Sequence, residues 1–226
     1  MSRFRTVWAS IGCATLGALT IVVAAGASAT DGYTYAGVEG WSATHGVAAS
    51  LTATERPVVS AGHVAAWVGF GGFGAGPGGS DEWIQAGVSA RPDGTLHAYY
   101  EVTLPNKQPR YVQVGRSLRP HSPVRVVVFE VAHQPSWWRI WVDGRPVTAP
   151  IYLPGSRGWS PTASGESWDG GTGAGNAFAF RFDRLRIVAR RGGTWGPWSD
   201  TSAFHDAGAG VRWVGAAAFL AATPGA

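Results

Sequence analysis

Ala177-Phe178-Ala179-Phe180-Arg181-Phe182-Asp183-Arg184-Leu185-Arg186-Ile187-Val188-Ala189 alternates apolar and polar side chains with the period of a β-strand. Phe178, Phe180 and Phe182 share one face. Leu185 and Ile187 continue the apolar set only after a change of parity, which predicts a bulge or bend near Asp183. Outward from this run, no segment beyond the N-terminal leader sustains the 3.6-residue period of an amphipathic helix. Short β-rich runs recur instead at 46–54, 63–70, 82–90, 96–104, 110–115, 124–132, 137–142, 145–151 and 211–222, divided by Gly and Pro clusters. Asp143-Gly144 reads as a tight hairpin turn, because that pair tolerates the positive φ angles of a type I′ turn. Pro92-Asp93-Gly94 marks another turn. The pattern predicts an all-β sandwich of antiparallel strands in a single domain.

Residues 1–29 read as a secretory signal peptide. Arg3 and Arg5 form a positive start, an apolar stretch runs from Ile11 to Ala25, and Ala27-Ser28-Ala29 supplies a small-x-small cleavage site. The apolar run is short for a bilayer span and is interrupted by Gly12 and Gly17, so no stable membrane anchor is expected after processing. Residues 30–226 then form the β-sandwich domain, secreted to an extracellular location. The single cysteine, Cys13, and the single methionine leave with the leader, so neither an internal disulfide nor a cysteine metal site is available. Without Arg3 and Arg5, the 18 Lys and Arg residues fall to 16 against 14 acids. This near-neutral balance, with 14% charged residues overall, argues against a nucleic-acid partner and against a disordered tail. Tryptophan is abundant instead, with 12 in the chain and only Trp8 in the leader. That aromatic excess calls for a function.

Most chemical motifs are absent. The 6 histidines show no HxH, HxxxH or HExxH spacing, so no metal and no cofactor is expected. Residues 74–79 match GxGxxG formally, but a strand rather than a helix is predicted to follow, and the match reads as a hairpin connection. Gly165-Glu166-Ser167-Trp168-Asp169 lacks the closing glycine of a serine elbow. The Glu-x-Asp-x-x-Glu pattern of sandwich-fold glycosidases does not occur.

Three places invite a ligand. In 137–142, Trp138, Ile140 and Val142 share one face and Trp137, Arg139 and Trp141 the other, which makes either a second core layer or a stacking platform. In Trp83-Ile84-Gln85-Ala86-Gly87-Val88, Gln85 faces away from the apolar set beside Trp83 and Gly87, and Gly87 leaves room for an approaching group. Glu166 lies beside Trp168, between two loop-like stretches. The bland readings are a sheet-surface polar residue and a solvated loop acid.

The ordered set Tyr35-Ala36-Gly37, Ala66-Trp67-Val68-Gly69-Phe70-Gly71-Gly72, Ile84-Gln85-Ala86-Gly87-Val88, Ala98-Tyr99-Tyr100-Glu101 and Gly165-Glu166-Ser167-Trp168 resembles the glutamic peptidases, the eqolisin family. Tyr35 stands where that family usually has tryptophan. The resemblance spans roughly residues 33–190 and implies a concanavalin-like β-sandwich, or jelly roll, of two curved antiparallel sheets with a cleft. It implies that Gln85 and Glu166 match the catalytic glutamine and glutamate, and that Trp67, Tyr99, Glu101 and Trp168 line the groove for a polypeptide substrate. The family works at acidic pH without cofactor or metal. The alternative is a non-catalytic module of the same fold that binds carbohydrate or peptide through Trp137, Arg139 and Trp141. A polysaccharide-cleaving pair of Glu101 and Glu166 is a third reading.

Overall fold

The computed structural model describes residues 32–224, so the predicted export segment lies outside the described residues. In chain order the strands are β1 (Tyr33–Gly40), β2 (Gly46–Ala53), β3 (His63–Gly72), β4 (Glu82–Ala90), β5 (Leu96–Thr103), β6 (Arg110–Leu118), β7 (Val124–Glu130) and β8 (Trp137–Val142). They continue as β9 (Arg145–Pro146), β10 (Ile151–Tyr152), β11 (Pro161–Trp168), β12 (Ala179–Val188), β13 (Trp195–Pro197), β14 (Thr201–His205), β15 (Gly210–Gly215) and β16 (Ala218–Ala222). One sheet has the order β14-β1-β11-β3-β4-β5-β6 and the other β10-β8-β7-β2-β12-β16-β15, with β13 beside β12 and β9 beside β8. Neighbouring strands run antiparallel, and the two sheets form a concanavalin-like β-sandwich.

The core lies between the sheets. Val64, Ala66, Val68 and Phe70 of β3, with Ile84, Ala86 and Val88 of β4, face Val47, Ala49 and Leu51 of β2 and Val124, Val126 and Val128 of β7. Strict alternation sends the other side chains of each strand outward. Phe70 meets Trp138 across the core, with ring centroids 4.6 Å apart. Phe178, Phe180 and Phe182 are all fully buried, and Phe182 stacks on Phe219 at 4.3 Å. Each such ring contributes about 1.5–3 kcal/mol through burial alone.

The parity change in the opening run is a real bulge. The register of β12 on β2 shifts between Asp183 and Arg186, and Arg184 adopts φ 53°. Leu185 thereby returns to the core. The Asp143-Gly144 turn has φ 47° and 76°, as a type I′ hairpin requires. The predicted runs 145–151 and 211–222 each divide into two short strands.

One segment departs from expectation in a way that matters. Residues 161–168, where the sequence pattern predicts no strand and sets Glu166 between two loop-like stretches, form β11, a central strand paired with both β1 and β3. Its core-facing positions are Ala163, Gly165 and Ser167, too small and polar to look like a strand. A Cβ on Gly165 would sit 2.6 Å from the Phe178 ring, so the neighbouring sheet fills the space that a larger side chain would occupy. The strands β1, β13 and β14 were likewise not evident from periodicity.

Two buried carboxyls tie loops to the sandwich with opposite pH signatures. Glu82 is fully buried, and its Oε2 accepts the Gly155 N–H at 2.7 Å. Burial pushes this carboxyl up, and the Gly155 N–H offsets that only in part. Glu130 is also penalised by burial, yet Arg191, the Ser136 N–H and His45 together hold it below the ordinary carboxylate range. A raised acid contributes stability that is present below its unfolded value and is lost as pH rises through its folded value. A depressed acid contributes stability that is lost as pH falls through its folded value. Glu82→Gln is therefore expected to raise the unfolding temperature at neutral pH and to converge on wild type in acid. Glu130→Gln is expected to lower it at neutral pH, with the deficit shrinking in acid. Thermal unfolding followed by circular dichroism across pH checks both signs; parallel curves would contradict them.

Candidate active site

The outward face of the seven-stranded sheet carries the cleft. Cross-strand register sets its rows. Gly37, Ser164, Trp67, Gly87, Tyr99 and Gln113 lie side by side across six strands. On one side of this row, Glu166 lies between Tyr35 and Ala65. On the other side, Gln85 lies between Gly69 and Glu101. Trp168 stands between Tyr33 and His63 at one end. Since positions two apart on a strand share a face, Gln85, Glu166, Trp67, Tyr99, Glu101 and Trp168 all face one side. They line a single cleft of about 930 Å³.

Gly87 has a different role from the one its sequence context suggests. A Cβ there would fall 1.9 Å from the Ala66 carbonyl oxygen, so the glycine is required by the close approach of β3 rather than by a ligand. The cleft floor between Trp67 and Tyr99 is low as a result.

Glu166 is the most elaborated polar group in the cleft. Its residue is buried, and each carboxylate oxygen has its own partner. Trp67 Nε1 donates to Oε2 at 2.8 Å, and His63 Nε2 lies 2.9 Å from Oε1. A carboxylate oxygen accepts more than one hydrogen bond, so both oxygens retain capacity toward the cleft. Nearby, Trp83 Nε1 donates to Glu101 Oε1 at 2.9 Å. Burial pushes the Glu101 carboxyl up; Glu166 adds to the rise, while the Trp83 N–H opposes it. Gln85 Nε2 donates a long hydrogen bond to the Tyr99 hydroxyl at 3.4 Å, leaving its amide weakly engaged. Burial, reinforced by Glu166, pushes the hydroxyls of Tyr35 and Tyr99 far up, so both remain neutral donors.

An aromatic wall closes the Glu166 side. Tyr35 stacks on Tyr33 with centroids 5.7 Å apart, Tyr33 meets Trp168 at 6.1 Å, and Trp168 meets His63 at 5.7 Å. On the opposite side, Phe73 packs edge-on against Trp83 at 5.6 Å. His63 is a cleft residue that sequence reasoning did not select, whereas Tyr35 and Trp83, which also line the cleft, already stand in the motifs beside the candidate site. His63 shares the parity of Trp67 on a strand already recognised, which was the available signal. Among the described residues, no three His, Cys, Asp or Glu side chains converge as a metal ion would need.

Trp137, Arg139 and Trp141 belong to the other sheet and share its outward face, alternating with buried Trp138, Ile140 and Val142. Trp137 is 40% exposed and pairs with Tyr152 at 5.4 Å. Arg139 is half-buried and donates to the Thr148 carbonyl, and half-buried Trp141 leans on Phe129.

The chain is similar in fold to solved glutamic peptidases. Scytalido-glutamic peptidase, solved with a transition-state analogue inhibitor, superposes with a TM-score of 0.58 at 14% identity, covering 85% of this chain and 98% of that one. SCP-B, a member of the eqolisin family solved with the tripeptide Ala-Ile-His, gives a TM-score of 0.54 at 14% identity over the same shares. No family model matches the chain, and no curated protein matches it in sequence.

The indole donor on Glu166 yields a stability prediction. Trp67→Phe keeps most of the ring but removes the N–H from Oε2. It is expected to cost roughly 1.5–3 kcal/mol, the range for a hydrogen bond to a charged group. Urea unfolding measures this, and a loss below about 0.5 kcal/mol would mean that water replaces the indole without penalty.

Proposed function

We propose that the protein is an exported glutamic endopeptidase, with Glu166 as general base and Gln85 as the amide that holds water and the developing oxyanion. One observation carries the reading: Gln85 and Glu166, far apart in sequence, flank the Trp67–Gly87–Tyr99 row in one cleft, and each oxygen of Glu166 has a nitrogen partner, the Trp67 indole N–H and His63 Nε2. An extended polypeptide laid over the low floor at Gly87 would bring its scissile carbonyl between them. Glu166 would take a proton from water as the oxygen attacks that carbonyl, then return it to the leaving amine. The Gln85 amide, and the neutral Tyr99 hydroxyl beside it, would donate to the oxyanion. The aromatic walls on both sides suit apolar substrate side chains. The likeness to peptidases in fold supports the reading without deciding it, since fold does not carry function.

The competing reading is a binding module of the same fold. The exposed Trp137–Tyr152 pair is the observation that favours it.

Digestion of an unfolded protein at mildly acidic pH separates the two. Wild type is expected to cleave. Glu166→Gln should reduce kcat/KM by about 10²–10⁴-fold, and Gln85→Ala by about 10²–10³-fold. Equal cleavage by wild type and Glu166→Gln would remove Glu166 from the mechanism. No cleavage at any pH, with retention on a glycan column that Trp137→Ala abolishes, would favour the binding module.

A further inference from the structure

The cleft contains a histidine for which the Glu166–Gln85 scheme has no use. His63 opens β3, and its Nε2 lies 2.9 Å from Glu166 Oε1 with side chains 30% and 10% exposed. Its placement is built rather than incidental. The preceding Gly62 has φ 68°, and a Cβ there would meet the Trp168 carbonyl at 2.0 Å. Asn176 then staples this corner: its Oδ1 accepts the Ser60 and Ala61 N–H groups, and its Nδ2 donates to the Ala61, Trp168 and His63 carbonyls. The imidazole itself rests against the Trp168 ring. Backbone, ring and carboxylate thus fix one orientation.

The chemistry of the contact is directional. A carboxylate only accepts, so the hydrogen between Nε2 and Oε1 must sit on the imidazole, and a neutral His63 must be the Nε2–H tautomer. We propose that His63 is a positioning residue: its Nε2–H and the Trp67 indole N–H clamp the two oxygens of Glu166, fixing the carboxylate plane and aiming its remaining lone pairs into the cleft. A general base must be held within hydrogen-bond reach of the water it activates, and a carboxylate pinned at one oxygen alone would still swing about that bond. This inference rests on the peptidase reading for its consequence but not for its geometry.

Two measurements test it together. In peptide cleavage, His63→Leu is expected to lower kcat by about 10–100-fold with KM little changed, because a misaimed base loses rate rather than binding. His63→Gln, which restores a side-chain N–H at similar reach, should recover most of that loss. In ¹⁵N imidazole spectra, wild-type His63 should carry its neutral-form proton on Nε2, and Glu166→Ala should release the tautomer to a mixture. Cleavage by His63→Leu equal to wild type overturns the proposal, as does an Nδ1–H tautomer in wild type. Equal losses in His63→Leu and His63→Gln, with KM rising in step, also overturn it by pointing to a general structural role. If wild type cleaves nothing while the Nε2–H tautomer depends on Glu166, the clamp stands and the peptidase reading falls.

Discussion

The Phe178 ring packed over Gly165 is the contact on which the cleft depends. It joins the two sheets at Gly165, where an added Cβ would collide with the ring, in the strand that lies between β1 and β3. Alternation then does the rest. With Gly165 facing the core, Glu166 must face the cleft, one residue along the same strand. A slip of one residue in this pairing would bury the carboxylate in the sandwich and expose Gly165. The aromatic load of the opening run is therefore tied to the polar chemistry on the far side of the sheet.

Placing a carboxylate in a buried position requires donors, and the surrounding rows supply them. Trp67 and His63 both come from β3, each one step of alternation to either side of Ala65, the residue directly opposite Glu166. Tyr35 lies opposite Glu166 on the other flank. The tryptophan excess thus divides by task. Trp67 and Trp83 present indole N–H groups to carboxylates, Trp138 and Trp198 are core, and Trp137 lies exposed on the second sheet.

Much of the architecture was legible in residue order, because strands with large β-branched or aromatic side chains on one face announce their period. The β4 and β8 boundaries fall where the pattern places them, and the bulge near Asp183 follows from a single break in parity. What stayed hidden has a common cause. β11 carries glycine toward the core at position 165 because Phe178 and Ala221 fill the volume from across the sandwich, so part of its hydrophobic signal resides in the facing sheet. Gly87 looked like an opening for a ligand for the same reason: the Ala66 carbonyl that demands it comes from a neighbouring strand.

The order of residues was enough to establish an all-β sandwich and its main strands; Gln85, Trp67, Tyr99, Glu101, Glu166 and Trp168 came together as a set only through the resemblance to the glutamic peptidases. It was not enough to show that these side chains share one face, or that His63 joins them. Period-two alternation is local and can be read along a chain. Register between strands is not: it is set by which side chains fit together across the core, and here that fit brings a histidine at the start of β3 against a carboxylate 103 positions away.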